Sequence, residues 1–253
     1  VFIGGIMKAN DVNGLHQLLN VPMNPITISY SLPLKSETIT PSYDNMLRII
    51  QQKLQENNVL KPNYQFSFTL KQIDSYEQLA LFFGEEINLS DLFKITSPNP
   101  IHKTVAVLDI SQSYFSIAMD MPEEELSNSP IVQEQLSELI YVGSIEFGRR
   151  SILIVESDLN YQDVKVALNE ILNKSTTKEG DISEKSKSIM ASSIIRGLIL
   201  DPLANENITP DNPLEYLLDY INSDISPNDF GVPIFFTAAW LKDNSVFVNK
   251  FTN

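Results

Sequence analysis

Three observations predict an α+β fold built on a large antiparallel sheet. Two unusually long apolar stretches, residues 102–122 and 139–157, are rich in β-branched and aromatic residues, as strands are. Shorter stretches alternate apolar and polar side chains at the period of a strand with one wet face. Helical patterns are interspersed among these runs without the regular strand–helix–strand order that a doubly wound sheet requires. Most strands run about 5–6 residues, whereas at ~3.3 Å per residue each long stretch would exceed roughly 50 Å. Two flanking stretches, residues 74–96 and 158–188, have a more ambiguous periodicity.

In chain order, residues 1–9 read as a buried strand, with Gly4-Gly5 marking a bulge or a close backbone approach. In residues 24–33, Ile26, Ile28 and Tyr30 alternate with Thr27, Ser29 and Ser31. Thr40-Pro41 predicts a helix start, with Thr40 as N-cap and Pro41 at the first helical position. Tyr43, Met46, Leu47, Ile50 and Leu54 continue it as a stripe at helical spacing. Residues 64–73 alternate again, with Tyr64, Phe66, Phe68 and Leu70 on one side. Residues 123–138 form an acidic connection with a short helical pattern at 132–136. Residues 189–200 are another apolar run. Asn212-Pro213-Leu214-Glu215 is a capping box opening a helix to about Ile221, and residues 234–250 predict a hairpin turning at Asp243-Asn244.

With 253 residues and 43% hydrophobic side chains, the chain can bury a substantial core and is not of disordered composition. A net charge of -14, from 32 acidic and 18 basic residues, argues against nucleic acid and against electrostatic attachment to anionic lipid. The absence of cysteine removes disulfide and thiol chemistry. No apolar run of about 18 residues predicts a membrane-spanning helix. The sequence starts abruptly at Val1-Phe2, as expected of a processed or trimmed fragment.

Catalytic and metal-binding patterns are thin. His16 and His102 have no ligand spacing to a second candidate. Glu123-Glu124-Glu125 reads as a solvated turn, and Arg149-Arg150 as structural partners for the plentiful carboxylates. No phosphate-binding loop, dinucleotide fingerprint or nucleophile elbow is present. The expectation is therefore a non-enzyme with no cofactor, no metal and no small-molecule substrate.

The flanking stretches carry more information. In residues 75–95 the odd positions include Leu79, Leu81, Phe83, Ile87, Leu89, Phe93 and Ile95, opposed by mostly polar even positions. Two strands of about 9–11 residues with one lipid-facing side are written this way. The same residues also suit a short amphipathic helix ended by Gly84, or a helix pair packed on a sheet. In the second flank, Asn160 can cap a helix with the stripe Val164, Leu168, Ile171 and Leu172. Val164, Val166 and Leu168 equally fit one face of a strand. The return, residues 177–188, offers Ile182 as its one apolar residue, and lipid-facing charges would cost about 2–4 kcal/mol each near the bilayer midplane.

Several blocks, in order along nearly the whole chain, resemble those of the cholesterol-dependent (thiol-activated) cytolysins, β-barrel pore-forming toxins related to perforin-like proteins. They include FIGGIMKAN, NPITISYSLP, TPSYDNMLRIIQQKL, QSYFSIAMDMP, FGRRSILIVES, DVKVALNEIL and WLKDNSVFVNK. The resemblance implies an elongated molecule with a long bent antiparallel sheet flanked by helical bundles. It implies a discontinuous shaft domain (1–65, 112–146 and 246–253) and a discontinuous membrane-inserting domain (66–111 and 147–245). It further implies a secreted or surface-anchored extracellular protein that self-oligomerises on a lipid membrane and refolds residues 75–96 and 160–187 into transmembrane hairpins. Their lipid-facing residues would be Leu79, Leu81, Phe83, Ile87, Leu89, Phe93 and Ile95, and Val164, Val166, Leu168 and Ile171. The family's paired glycines appear here as Arg196-Gly197, which puts the hinge at Gly197. An aromatic contact between edge strands aligns with Phe68 and Met190, and a charged edge-strand partner aligns with Leu70. The Trp-rich loop of the family's C-terminal membrane-binding domain has no counterpart, since Trp240 is the sole tryptophan. Sterol recognition is thus expected to lie in a domain outside this chain. The competing expectation, favoured by the charged return and the missing glycine, is a non-lytic surface or interaction protein that keeps the fold.

Overall fold

The computed structural model describes residues 1–14, 16–57, 65–79, 89–97, 99–122, 124–177, 180–201, 204 and 213–249. Among these, eight strands form an antiparallel sheet: β1 (Ile6–Lys8), β2 (Ile26–Tyr30), β3 (Glu37–Ile39), β4 (Gln65–Ile73), β5 (Thr104–Met119), β6 (Leu139–Ser157), β7 (Ile194–Ile199) and β8 (Val232–Trp240). The helices are α1 (Tyr43–Asn57), α2 (Leu89–Phe93), α3 (Pro130–Glu134), α4 (Tyr161–Thr177), α5 (Glu184–Ala191) and α6 (Pro213–Asn222). The sheet runs β1-β6-β5-β2-β3, with β4 added on β5 and both β7 and β8 on β6. The expected α+β class with its antiparallel sheet is the fold observed.

The two long strands behave as their composition requires. β6 spans 19 residues and β5 spans 16, and most of β6 is buried. The chain divides into two compact units: residues 1–64, 113–148 and 225–253 form the first, and residues 65–112 and 149–224 the second. Residues 225–245 fall in the first unit, because β8 pairs with β6 from Ile140 to Gly148.

In the first unit, α1 packs Met46, Ile49, Ile50 and Leu54 into a core with Ile26, Ile28, Phe115, Ile117 and Phe147. Phe115 stacks on Phe147 with ring centroids 5.2 Å apart, and Phe230 closes on both. The helix starts at Tyr43 rather than Pro41, because the Ser42 hydroxyl accepts from the Asn45 amide at 3.2 Å and so acts as the cap. Pro41 is instead buried outside the helix against Gly4, whose φ of +78° turns the chain into β1. The 234–250 hairpin turns at Asn244, where φ is +57°. Its return arm makes a single bridge, Ala239 to Val246, and leaves Val246 and Val248 exposed.

Candidate functional site

The second unit is a sheet with a separate apolar layer on each face. Strand side chains alternate between faces. On one side β5 and β6 present Val105, Val107, Ile152 and Ile154, which pack with Ile73, Tyr76, Leu79, Phe93 and Ile95. On the other side Ala106, Leu108, Ile110, Leu153 and Val155 pack with Val164, Leu168 and Ile171 of α4, Ile189 and Met190 of α5, and Leu217 and Ile221 of α6. β7 divides in the same way, with Leu198 in the first layer and Ile199 in the second. Each ambiguous flank therefore packs its described apolar residues on one face of the sheet, and among the described residues neither contributes a strand in this state.

Of the first expected set, Leu79, Phe93 and Ile95 are buried in that first layer and Leu89 opens α2, while Leu81, Phe83 and Ile87 lie outside the described residues. The described parts of this flank are a 3₁₀ turn, Tyr76–Leu79, and the short α2. In the second flank the helical alternative is realised. Asn160 caps α4 by accepting from the Asp163 amide at 3.0 Å. Val164, Leu168 and Ile171 are buried, whereas Val166 is 52% exposed. Helical geometry separates Val166 from its strand-period neighbours by turning it to the solvent face.

Gly197 is held where a side chain does not fit. A Cβ there would lie 2.5 Å from Leu217 Cδ1, so the bare backbone lets α6 approach β7 closely. Phe68 is 41% exposed on β4. Met190 is in α5, not on a strand. Residues 189–191 are helical because the cap at Ser183 starts α5, and the strand begins only at Ile194.

The most concentrated polar chemistry of this unit is at Glu156, near the end of β6. Its side chain is 1% exposed. Glu156 Oε2 accepts from the Tyr76 hydroxyl at 2.6 Å and from Arg196 Nη1 at 3.3 Å. Glu156 Oε1 accepts from the Ile101 amide at 2.5 Å and the His102 amide at 2.9 Å. Arg196 also donates to the Tyr76 oxygen at 3.4 Å. Arg196 faces Ile154 across the β6–β7 ladder, which sets it diagonal to Glu156 on the same face. Burial pushes the Glu156 carboxyl up, but the hydrogen bonds from Tyr76, His102, Ile101 and Arg196 outweigh it and hold it below the ordinary value. Burial and the bond to Glu156 push the Tyr76 phenol well up. At neutral pH the junction is a carboxylate bound by a neutral phenol and a guanidinium.

A second carboxylate works inside the other flank. Glu170 of α4 accepts from the Ser186 hydroxyl at 2.6 Å, the Ser183 hydroxyl at 2.7 Å and the Ser183 amide at 2.9 Å. These bonds, against slight desolvation and with help from Lys174, lower its pKa from 4.5 to about 2. They tie α4 to the first turn of α5. The paired arginines divide their work. Arg150 makes a two-pronged contact with Asp109, as expected of a structural partner. Arg149 instead is buried under α6 and donates to the carbonyls of Tyr220, Ser223 and Asp224. Among the described residues no cluster of three or more acidic or histidine side chains is placed to hold a metal ion.

Sequence reasoning did not single out Glu156 or Glu170. The available signal was a carboxylate near the end of an otherwise apolar strand, since a buried charge demands partners. Its partners come from residues 80 and 40 positions away, so local pattern alone could not name them.

The model of the thiol-activated cytolysin family matches residues 1–253. Tetanolysin of Clostridium tetani is 24% identical over 96% of this chain, and perfringolysin O of Clostridium perfringens is 22% identical over 90%. The chain spans about half the length of these curated relatives, 51% and 50%. Among solved structures, pneumolysin superposes with a TM-score of 0.72 at 17% identity, covering 98% of this chain and 58% of that one. The human-specific toxin intermedilysin superposes at 0.70 with 20% identity, covering 97% and 57%. The two-layered sheet unit and its long strands are thus those of a known fold, and the chain belongs to the thiol-activated cytolysin family.

Proposed function

We propose that this chain is the shaft and membrane-inserting part of a pore-forming cytolysin that acts outside the cell. The first compact unit serves as shaft, and the second releases residues 75–96 and 160–187 from the two faces of its sheet. Freed from those faces, each segment pairs as a strand hairpin, and neighbouring copies close the edges into a barrel. Apolar burial on the sheet is exchanged for apolar burial in lipid. One observation carries most of the weight. In α4, Val166 is exposed beside buried Val164 and Leu168, so its apolar character serves the strand periodicity better than the helix it occupies. No helix of the described residues is long and apolar enough to cross a membrane, so spanning would fall to strands. The role is non-enzymatic, and the partners are further copies of the chain and a lipid membrane. Any sterol contact would come from a domain outside this chain.

Two observations favour a second reading, a non-lytic interaction protein on the same fold. The return segment 177–188 is charged, and Arg196, at one of the family's glycine positions, is fastened to Glu156. Dye release from sterol-containing liposomes, using the protein at its full natural length, separates them. Release together with ring-shaped oligomers supports the lytic reading; intact liposomes across a range of lipids leave the non-lytic one.

A further inference from the structure

We propose that Tyr76, Glu156 and Arg196 form a polar latch that fastens the first flanking segment to the sheet and sets the threshold for its release, a role that rests on the pore-forming function above. Tyr76 is the first residue of the 3₁₀ turn that leads from β4 into that segment. Glu156 is on the central strand β6, and Arg196 is on β7 at the opposite margin of the β6 ladder. One carboxylate therefore joins the start of a releasable segment to two strands of the fixed sheet. The amides of Ile101 and His102, where the chain returns to β5, bind the other oxygen of the same group. Both ends of the flank, residues 76 and 101–102, thus converge on Glu156.

The arrangement is costly to open in one step. Glu156 is almost wholly buried, so withdrawal of Tyr76 and the chain around residue 101 strips a charged group of most of its donors. Arg196 bonds both the carboxylate and the phenol oxygen, which couples the three side chains. A glycine at position 196 would supply none of this. Among the described residues, the same flank adds Tyr76, Leu79, Phe93 and Ile95 to the apolar layer.

Amide hydrogen exchange on the full chain in solution tests the latch without any membrane. Tyr76→Phe keeps the buried ring and removes the hydroxyl, while Arg196→Met keeps a long stem and removes the charge. Each is expected to speed exchange of residues 76–79 and 89–95 roughly 10-fold or more, the scale of a lost charged hydrogen bond, and to leave α4 unchanged. The double variant is expected to fall short of the product of the two, because both act through one carboxylate. Unchanged exchange in the first flank, equal acceleration in α4, or fully multiplicative effects would each overturn the latch. A chain that never releases dye can still show these shifts, and a lytic chain can lack them, so the two proposals fail separately.

Discussion

The two flanks of the second unit cover opposite faces of one sheet and are held there by different physics. Among its described residues the first contributes a short turn, a five-residue helix and the buried side chains of Tyr76, Leu79, Phe93 and Ile95, and its polar anchor bonds directly to the sheet through Glu156. The second lays two helices, α4 and α5, on the sheet with a broad apolar face, and its carboxylate, Glu170, binds within the flank rather than to a strand. Apolar contact is non-directional and declines gradually as surfaces part. A buried charge network is directional and fails when its geometry is lost. The contrast implies a first flank that opens abruptly and a second that must be peeled away as a preformed hairpin.

The largest expected effect comes from cutting into the second flank's apolar face. Leu168→Ala empties a wholly buried site and is expected to cost about 2–5 kcal/mol in urea unfolding of the chain. Leu79→Ala, equally buried, is expected to act mainly on local exchange of residues 76–79 and 89–95. Equal global losses from both would erase the contrast. Gly197→Ala ranks next. Its Cβ would meet Leu217 Cδ1 at 2.5 Å, so a loss of roughly 1–3 kcal/mol is expected, with faster exchange in α6.

Acid sharpens the comparison further. The folded Glu170 carboxyl titrates at about 2 instead of 4.5, so its contribution is complete above pH 4.5 and is lost as pH falls toward 2. The α4–α5 pair is therefore expected to loosen over that window, read as rising exchange in residues 184–191, and Glu170→Gln is expected to flatten the dependence. Glu156 is also depressed, so acid weakens the first flank in the same direction. The smallest effect is expected at Lys187, whose ion pair with Glu184 is exposed on both sides. Lys187→Ala is expected to change stability by less than about 0.5 kcal/mol.

Much of the scaffold was legible in the sequence. β6 occupies the span expected for it, Leu139–Ser157, where apolar clusters at 139–142 and 152–155 flank a middle of mixed glycine, polar and apolar residues. Asn160 and the stripe Val164, Leu168 and Ile171 announced α4, but the same residues also spelled a strand, and packing on β5 and β6 decided between them. The start of α1 moved by two residues because Ser42 and Thr40 are both acceptable caps and only tertiary placement of Pro41 distinguishes them. Met190 reads as part of a strand run, yet the Ser183 cap 7 residues earlier carries it into a helix. The Glu156 junction was least legible, since it is assembled from four distant chain segments.

The most direct test of the account places a polarity-sensitive dye at Val166→Cys and, separately, at Lys165→Cys, with any cysteine outside residues 1–253 replaced by serine, since these residues contain none. Val166 is exposed, so labelling leaves the core untouched. On adding sterol-containing liposomes to the full-length protein, the dye at 166 is predicted to move from water into lipid while its neighbour at 165 stays wet, the alternation of a spanning strand. Dyes that both remain in water, or that both enter lipid alike, would contradict it.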